Sequence, residues 1–304
     1  MKLRDILSLM ENICKKSNIS PPMLTGGTPR DKILGLIKTE ISDLDITTGD
    51  KTIHSLAKEF AITLSKQYNI NSKKMDDGHT TVFVGNLKVD FSSNFEAPNI
   101  EKILQKIGIK NPTDMQKEMY SRDFTCNTLL MTLDLKTIKD PTKRGIPDIK
   151  KKILRTCLDP NITLRYNTNR IIRVVYLAAK LGFDVDPKII EWVSNNKEFV
   201  RQSSEGYLSR NLNKALDKDP ERAVHLINKM NLWDVLPITD SLYPYYAKRS
   251  AVKEGQIKRN FDLGEGFYAN MDKYKSVSDF RKKRRNKRMK TLKQIRKMKM
   301  KQDE

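Results

Sequence analysis

The hydrophobic periodicity of this 304-residue chain changes once, near residue 160, and this change is what most constrains the fold. Before it, short β-type runs such as "SDLDITT" and "TTVFVGNLKVDFSS" alternate with helical stretches. After it, up to about residue 245, apolar residues recur only at helical spacing, as in "NRIIRVVYLAAKLGF". Alternation of strands and helices is typical of an α/β domain, whereas a period of about 3.6 alone is typical of packed helices. We therefore expect an α/β unit followed by an all-α unit.

Several local signals predict where elements begin and end. Gly85 and Asn86 stand between two β-rich runs, as a hairpin turn does. Pro187 and Pro220 suit helix starts, and Gly182 suits a helix end. The N-terminal segment "MKLRDILSLMENICKK" predicts an amphipathic helix, and its interleaved acidic residues argue against a signal or transit peptide. We therefore expect a cytoplasmic protein.

Charge indicates the class of partner. The formal net charge is +21, which favours a polyanionic partner such as a nucleic acid, because phosphates relieve the self-repulsion of the protein. No apolar run approaches the roughly 20 residues that a membrane span needs. Residues 281–304 hold 13 Lys and Arg against 2 acids, so this tail is predicted to bind RNA or to dock a protein partner. The predicted RNA contacts are Arg281, Lys282, Lys283, Arg284, Arg285, Lys287 and Arg288.

The three cysteines, Cys14, Cys126 and Cys157, are far apart and lack paired metal-ligand spacing. They are predicted to be reduced, mostly buried thiols. The three histidines are equally scattered. A zinc site is therefore not expected.

Two aspartates, Asp43 and Asp45, stand two residues apart in a predicted strand, so their carboxylates share one face. Mg²⁺ suits such a pair, because it takes oxygen ligands and completes its shell with water and substrate phosphates. Just upstream, Gly26 and Gly27 let backbone N–H groups approach a phosphate, and Arg30 supplies a cation near the start of a predicted helix, "DKILGLIK". The combination indicates a metal-dependent nucleotidyl-transfer site.

The order of the motifs resembles the class II tRNA nucleotidyltransferase and bacterial poly(A) polymerase superfamily. The head signature of that family is similar to "LTGGTPRDKILG" with "SDLDITT", and its next hairpin to "GHTTVFVGNLKVDFSS". Further matches are "SRDFTCNTLLM", in which Ser121 replaces an Arg, and "DPTKRGIPDIKKKILRT", in which only Gly145 remains of the usual loop glycines. "NRIIRVVYLAAKLGF" resembles the neck helix and "NKMNLWDVLP" the close of a body helix.

The resemblance implies an α/β nucleotidyltransferase head with a mixed, five-stranded-type sheet, followed by a helical neck and body and a basic tail. We expect the head at 1–160, the neck at 161–186, the body at 187–247 and the tail at 248–304. The implied activity is template-independent transfer of NMP from NTP, ATP or CTP, to an RNA 3′-hydroxyl with two Mg²⁺ ions. Addition of CCA to tRNA is favoured. Poly(A) addition and an inactive RNA-binding role on the same fold remain alternatives.

The resemblance also implies residue roles. Asp43 and Asp45 would hold the metal ions, with Asp90 as a weaker third catalytic carboxylate. The implied nucleotide-binding residues are Gly26, Gly27, Arg30, Asp31, Arg122, Asp123, Asn127, Asn167, Arg170 and Arg173. At one of them the chain departs from the family, whose neck helix begins Glu-Asp-x-x-Arg where this chain has Tyr166, Asn167 and then Arg170. A carboxylate only accepts hydrogen bonds, whereas an amide can accept or donate, so the base preference is left open.

Overall fold

The computed structural model describes residues 2–37, 41–68 and 70–245, and the chain forms two compact units. The first unit ends at Tyr166 and the second begins at Asn167. Within the residues just given, the first unit is α/β and the second is helical apart from one two-residue strand, which confirms the fold class predicted from the periodicity. The finer division into head, neck, body and tail stays a prediction. The tail, with all seven of its predicted RNA contacts, lies outside the described residues.

Seven strands form one mixed sheet in the first unit. They are β1 (Met23–Thr25), β2 (Asp43–Thr47), β3 (Asn71–Lys74), β4 (Thr80–Val84), β5 (Leu87–Phe91), β6 (Leu130–Met131) and β7 (Ile138–Lys139). Their order across the sheet is β3-β4-β5-β2-β1-β6-β7. β2 and β5 run parallel, and the other neighbours run antiparallel. The sheet exceeds the expected five-stranded type because β6 and β7, two residues each, extend it beyond β1.

The helices of the first unit are α1 (Leu3–Lys16), α2 (Gly27–Ile33), α3 (Thr52–Ser65), α4 (Ile100–Lys106), α5 (Asp114–Ser121), α6 (Gly145–Lys150) and α7 (Pro160–Tyr166), with a short strand β8 (Ile153–Leu154).

The helix predicted over "DKILGLIK" was misplaced, because α2 starts four residues earlier. Gly26, at φ +67°, turns the chain into α2, and Gly35, also at φ +67°, follows its end. Both glycines adopt the left-handed backbone that other residues avoid.

The core of the first unit lies between one face of the sheet and the helices α1 and α3. Leu44 and Ile46 of β2 are both 0% exposed and belong to this core, as do Ile53 and Phe60 of α3. Successive side chains of a strand point to opposite faces, so Asp43 and Asp45 lie on the face of β2 turned away from the core. The amphipathic N-terminal helix predicted from the sequence is confirmed as α1, and its apolar face belongs to this core.

The second unit contains α8 (Asn169–Leu181), β9 (Asp184–Val185), α9 (Pro187–Asn195), α10 (Glu205–Lys218) and α11 (Pro220–Lys229). α8 packs against α10 and α11. Pro187 and Pro220 occupy the first positions of α9 and α11, and Gly182 follows α8 in the left-handed conformation, as predicted. Among the described residues, no helix has both the length and the apolar character to cross a bilayer.

The three cysteines are free thiols, and all are buried, as predicted. Burial, followed by the charge of Glu11, raises the pKa of Cys14 to about 11. A thiol with so high a pKa stays protonated near neutral pH, and the protonated form is a poor nucleophile. Cys14 therefore serves packing in the core of the first unit.

Candidate active site

Three aspartates lie on neighbouring strands at the solvent-facing side of the sheet. Asp43 and Asp45 both belong to β2, and Asp90 lies on β5, where it pairs with Asp45 in the parallel register. Asp43 is the most exposed of the three, with 60% of its side chain accessible, against 16% for Asp90. The strand pairing thus brings together the three carboxylates that were proposed from the sequence.

The carboxylate of Asp45 is confined by the turn that precedes α2. A Cβ atom built on Gly26 would lie 2.1 Å from Oδ2 of Asp45, and the left-handed φ of Gly26 independently favours glycine. The backbone N–H of Gly27 donates a hydrogen bond to the Asp45 carboxylate. The two glycines therefore allow the backbone to pass directly over Asp45. From the sequence they were expected to let the backbone approach a phosphate, whereas the structure shows that they contact this carboxylate.

Asp45 has unusual electrostatics for a surface-directed aspartate. Burial raises its pKa above the ordinary value, Arg122 opposes this, and the charges of Asp43 and Asp90 raise the pKa further. The hydrogen bond from Gly27 lowers it. The net effect is a raised pKa, so ionisation of Asp45 is less favourable in the folded protein than in water. A cation bound next to the carboxylate would stabilise its ionised form.

Lys88, which the sequence reading did not single out, supplies a cation at this place. It pairs with Asp43 across β2 and β5, and its ammonium group contacts Asp90 and lies 3.7 Å from Oδ1 of Asp43. Burial disfavours the charged form of Lys88, but the hydrogen bond and charge of Asp90 and the charges of Asp43 and Asp45 outweigh burial and raise its pKa. Its position two residues before Asp90 on one strand was the available sequence signal.

A buried polar chain connects α2 to the segment that follows α5. Arg30 is 3% exposed, and its guanidinium contacts the carboxylate of Asp31 at 2.7 Å and donates to the side-chain oxygen of Asn127 at 2.5 Å. The Asn127 amide in turn donates to Asp123 at 3.0 Å. Four residues proposed to bind nucleotide are thus joined in one network, in which the Arg30 guanidinium is already engaged by protein acceptors.

Glu118 forms a second buried network that the sequence reading missed. The side chain is 2% exposed, and it accepts hydrogen bonds from Thr47, from Ser92 at 2.7 Å and from Arg122 at 2.9 Å. Because Thr47 ends β2 and Ser92 follows β5, this carboxylate fixes Arg122 to the two strands that carry the aspartates. The i, i+4 spacing of Glu118 and Arg122 was the available signal.

The segment that resembles the family's flexible loop folds into α6 and β8. Asp140 accepts hydrogen bonds from Thr142 at 2.9 Å and from the backbone N–H of Ile146 at 2.9 Å. A Cβ atom on Gly145 would lie 2.7 Å from the carbonyl oxygen of Thr125. The one remaining loop glycine therefore permits close packing of backbone on backbone.

The proposed base-reading residues belong to the second unit. Asn167 is exposed and lies just before α8, and its carbonyl oxygen accepts the backbone N–H of Arg170 at 3.0 Å. Arg170 and Arg173 are half-buried and, three residues apart on α8, share one helix face.

Protein ligands alone do not form a metal site in the described part of the chain, where no group of three or more His, Cys, Asp or Glu side chains is arranged to hold an ion. The donor chemistry of Asp43 and Asp45 nevertheless fits Mg²⁺, which is commonly bound by one or two carboxylates with water and substrate phosphates. The two aspartates are therefore suited to a metal that arrives with a phosphate ligand.

Comparison with known proteins shows what the chain is similar to. Residues 23–155 match the poly A polymerase head domain family. The chain is 25% identical over 294 residues to tRNA nucleotidyltransferase cca2 of Schizosaccharomyces pombe, covering 88% of this chain and 57% of that protein. It is 23% identical over 232 residues to a CCA-adding enzyme of Bacillus pumilus, covering 73% of this chain and 54% of the relative. The chain thus spans little more than half the length of these relatives.

Solved structures share the fold. A CCA-adding enzyme in complex with ATP superimposes with a TM-score of 0.61 at 18% identity, covering 93% of this chain and 65% of that one. The Bacillus stearothermophilus CCA-adding enzyme in complex with CTP gives a TM-score of 0.60 at 21% identity, covering 83% of this chain and 58% of that one. Residues 23–155 thus match the poly A polymerase head domain family, and the chain shares the fold of these CCA-adding enzymes.

Proposed function

We propose that this protein is a template-independent RNA 3′-terminal nucleotidyltransferase of the tRNA CCA-adding type. The observation that carries the proposal is the placement of Asp43 and Asp45 on one face of β2, with Asp45 directly beneath the Gly26-Gly27 turn. In this arrangement the carboxylates and the backbone N–H groups of a helix start lie side by side, as transfer from a nucleoside triphosphate requires. The relatives named as CCA-adding enzymes favour tRNA as the acceptor.

Asp43 and Asp45 are the residues that would hold Mg²⁺, with Asp90 as a further carboxylate on β5. When bound there, the metal supplies Lewis-acid activation of the RNA hydroxyl and charge neutralisation of the leaving pyrophosphate. The chain itself contributes orientation. Gly26 and Gly27 fix the carboxylate of Asp45, and Glu118 holds Arg122 beside it.

The nucleotide is proposed to bind along the polar network of α2. Arg30, Asp31, Asn127 and Asp123 hold one another, so their joint role is to fix the turn that faces the triphosphate. A pre-organised network of this kind avoids the ordering cost that mobile side chains incur on binding. ATP and CTP are the expected substrates, because structures of the same fold are described in complex with each of them.

The base is proposed to be read by Asn167, Arg170 and Arg173. The amide of Asn167 can accept a hydrogen bond from the exocyclic amino group of C or A, and when rotated it can donate to a carbonyl of U or G. The arginines contribute donors only. These three residues therefore accommodate C and A. They discriminate against U and G less strictly than the same residues would with an aspartate at position 167.

Assays with two acceptors and four separate nucleotides test the function. The purified chain is incubated with tRNA lacking its terminal CCA and with an unstructured RNA, each with one NTP at a time or with CTP and ATP together, in Mg²⁺ or Mn²⁺. The proposal predicts addition of C, C and A to the tRNA and then arrest. Long A tracts on both RNAs would establish the poly(A) alternative. RNA binding without any incorporation would establish the inactive RNA-binding alternative.

The basic tail is proposed to clamp RNA phosphates. Its 13 Lys and Arg would contribute a sequence-independent term that weakens with salt. Removing residues 281–304 is expected to weaken RNA binding. If about six of these cations contact phosphates, the slope of log K against log salt concentration should become less steep by about four to five units. Unchanged affinity and slope would assign the tail to a protein partner instead.

A further inference from the structure

The ammonium group of Lys88 lies between two of the three site carboxylates. Lys88 and Asp43 are partners in the parallel pairing of β5 with β2, so their side chains leave the same face of the sheet. The ammonium group contacts Oδ2 of Asp90 and lies 3.7 Å from Oδ1 of Asp43. This cation therefore shares its carboxylate partners with any divalent ion that binds at the site.

We propose that Lys88 sets the metal affinity of the site, acting as a built-in cation that a divalent ion must displace. The proposal rests on the assignment of Asp43 and Asp45 as metal-binding residues in the proposed function. It concerns a positioning residue that acts through the carboxylates, and it assigns to Lys88 no contact with substrate.

Two protein donors hold the carboxylate of Asp90. Its Oδ1 accepts a hydrogen bond from the Thr81 hydroxyl at 2.5 Å, and its Oδ2 accepts from Lys88. Both oxygens of Asp90 are therefore engaged, each by a donor on β4 or β5. A metal ion at Asp90 would meet the ammonium charge of Lys88 beside Oδ2, and the flexible lysine stem yields more easily than a hydroxyl fixed on β4.

Exposure supports the same conclusion. The Lys88 side chain is 38% accessible, so its ammonium group can turn to water without crossing packed protein. A divalent ion on Asp43 would repel the nearby ammonium charge, and the two cations would compete for the same negative charge. Lys88 thus keeps the carboxylates paired and raises the metal concentration that the site needs.

Direct measurement of Mn²⁺ binding tests the proposal, with free Mn²⁺ followed by electron paramagnetic resonance in the absence of nucleotide. The full chain is compared with Lys88→Met, with Lys88→Arg, which keeps the cation, and with Lys58→Met, which removes an exposed lysine of α3. We expect Lys88→Met to lower the Kd for Mn²⁺ by about fivefold, the value of a half-exposed ion pair. Lys88→Arg and Lys58→Met should bind as the wild type does. Circular dichroism melts establish that each variant is folded.

A further variant separates failure of this inference from failure of the proposed function. Asp45→Asn should weaken Mn²⁺ binding at least tenfold if the carboxylates hold the metal. If it does so while Lys88→Met binds Mn²⁺ with the wild-type Kd or more weakly, the inference about Lys88 is wrong and the metal assignment stands. If Asp45→Asn binds Mn²⁺ unchanged, the metal assignment itself is wrong. A raised KM for NTP in Lys88→Met with an unchanged Mn²⁺ Kd would make Lys88 a triphosphate ligand and would also overturn the inference.

Discussion

Asp45 and Asp90 are direct partners across β2 and β5, the parallel strand pair at the centre of the sheet. The pairing places two carboxylates from distant parts of the sequence on one face, with Asp43 two residues away on β2. Such a concentration of negative charge is unfavourable without cations, and Lys88 and Arg122 supply them from the protein.

Gly26→Ala is expected to abolish the proposed nucleotidyl transfer, because its Cβ would lie 2.1 Å from Oδ2 of Asp45 and would push the carboxylate aside. The matched control is Gly35→Ala, since Gly35 has the same φ of +67° but no heavy atom within 4 Å of the added Cβ. Both variants should lose about 1 kcal/mol of unfolding free energy from backbone strain. Only Gly26→Ala should lose incorporation, by about a hundredfold in kcat/KM, as expected for a displaced catalytic group. Equal activity in the two variants would contradict the close contact.

Glu118→Gln is expected to destabilise the head by about 3 kcal/mol in urea unfolding, because it neutralises the buried carboxylate to which Arg122, Thr47 and Ser92 donate. Glutamine keeps the shape but replaces one acceptor oxygen by a donor group, which faces donors from Thr47 or Ser92. Glu96→Gln, at an exposed loop position, is the control and should change the unfolding free energy by less than about 0.5 kcal/mol. A loss no greater than that of the control would mean that Glu118 does not organise the site.

Asn167→Asp is expected to sharpen the preference for CTP and ATP over UTP and GTP. A carboxylate only accepts, so a carbonyl of U or G would meet another acceptor, and an unpaired group of this kind costs about 1–3 kcal/mol. The measurement is kcat/KM for each NTP on the same tRNA, with Asn161→Asp as an exposed control on α7. An unchanged ranking of the four nucleotides would place base reading at another residue.

Asp45→Asn is expected to stabilise the metal-free protein at neutral pH. The folded protein holds the Asp45 proton more tightly than the unfolded chain, because burial raises the pKa above its ordinary value of 3.8. Ionised Asp45 therefore costs folding free energy, and the cost grows as the pH rises from about 3.8 through the raised pKa. Urea unfolding in EDTA should give Asp45→Asn the higher unfolding free energy at pH 7, with the difference shrinking towards pH 4. A variant less stable than the wild type at pH 7 would contradict the raised pKa.

Parts of this architecture follow directly from the sequence. Alternation within "SDLDITT" predicts both the strand and the face that Asp43 and Asp45 share, and Gly85-Asn86 predicts the β4–β5 hairpin. Gly182 correctly predicts the end of α8. These features depend on local backbone preferences and on periodicity, which are visible within a few residues.

Other parts depend on contacts between distant residues. The pairing of Asp43 with Lys88 requires that β5 lie beside β2, and no local pattern specifies that neighbour. Strands of two residues, such as β6, are too short to show a period. Glu118 reads as an ordinary polar residue of α5, and its role appears only when Thr47, Ser92 and Arg122 surround it.

Nucleotide incorporation by Asp45→Ala and Asp43→Ala on tRNA lacking CCA tests the central claim most directly. The wild type should add C, C and A from CTP and ATP, and each variant should retain less than about a hundredth of that rate, because loss of a principal metal ligand removes roughly 3 kcal/mol or more of transition-state stabilisation. Binding of the tRNA, measured in parallel, should be nearly unchanged. Incorporation above about a hundredth of the wild-type rate in both variants would contradict the assignment of these two carboxylates as the metal-binding centre.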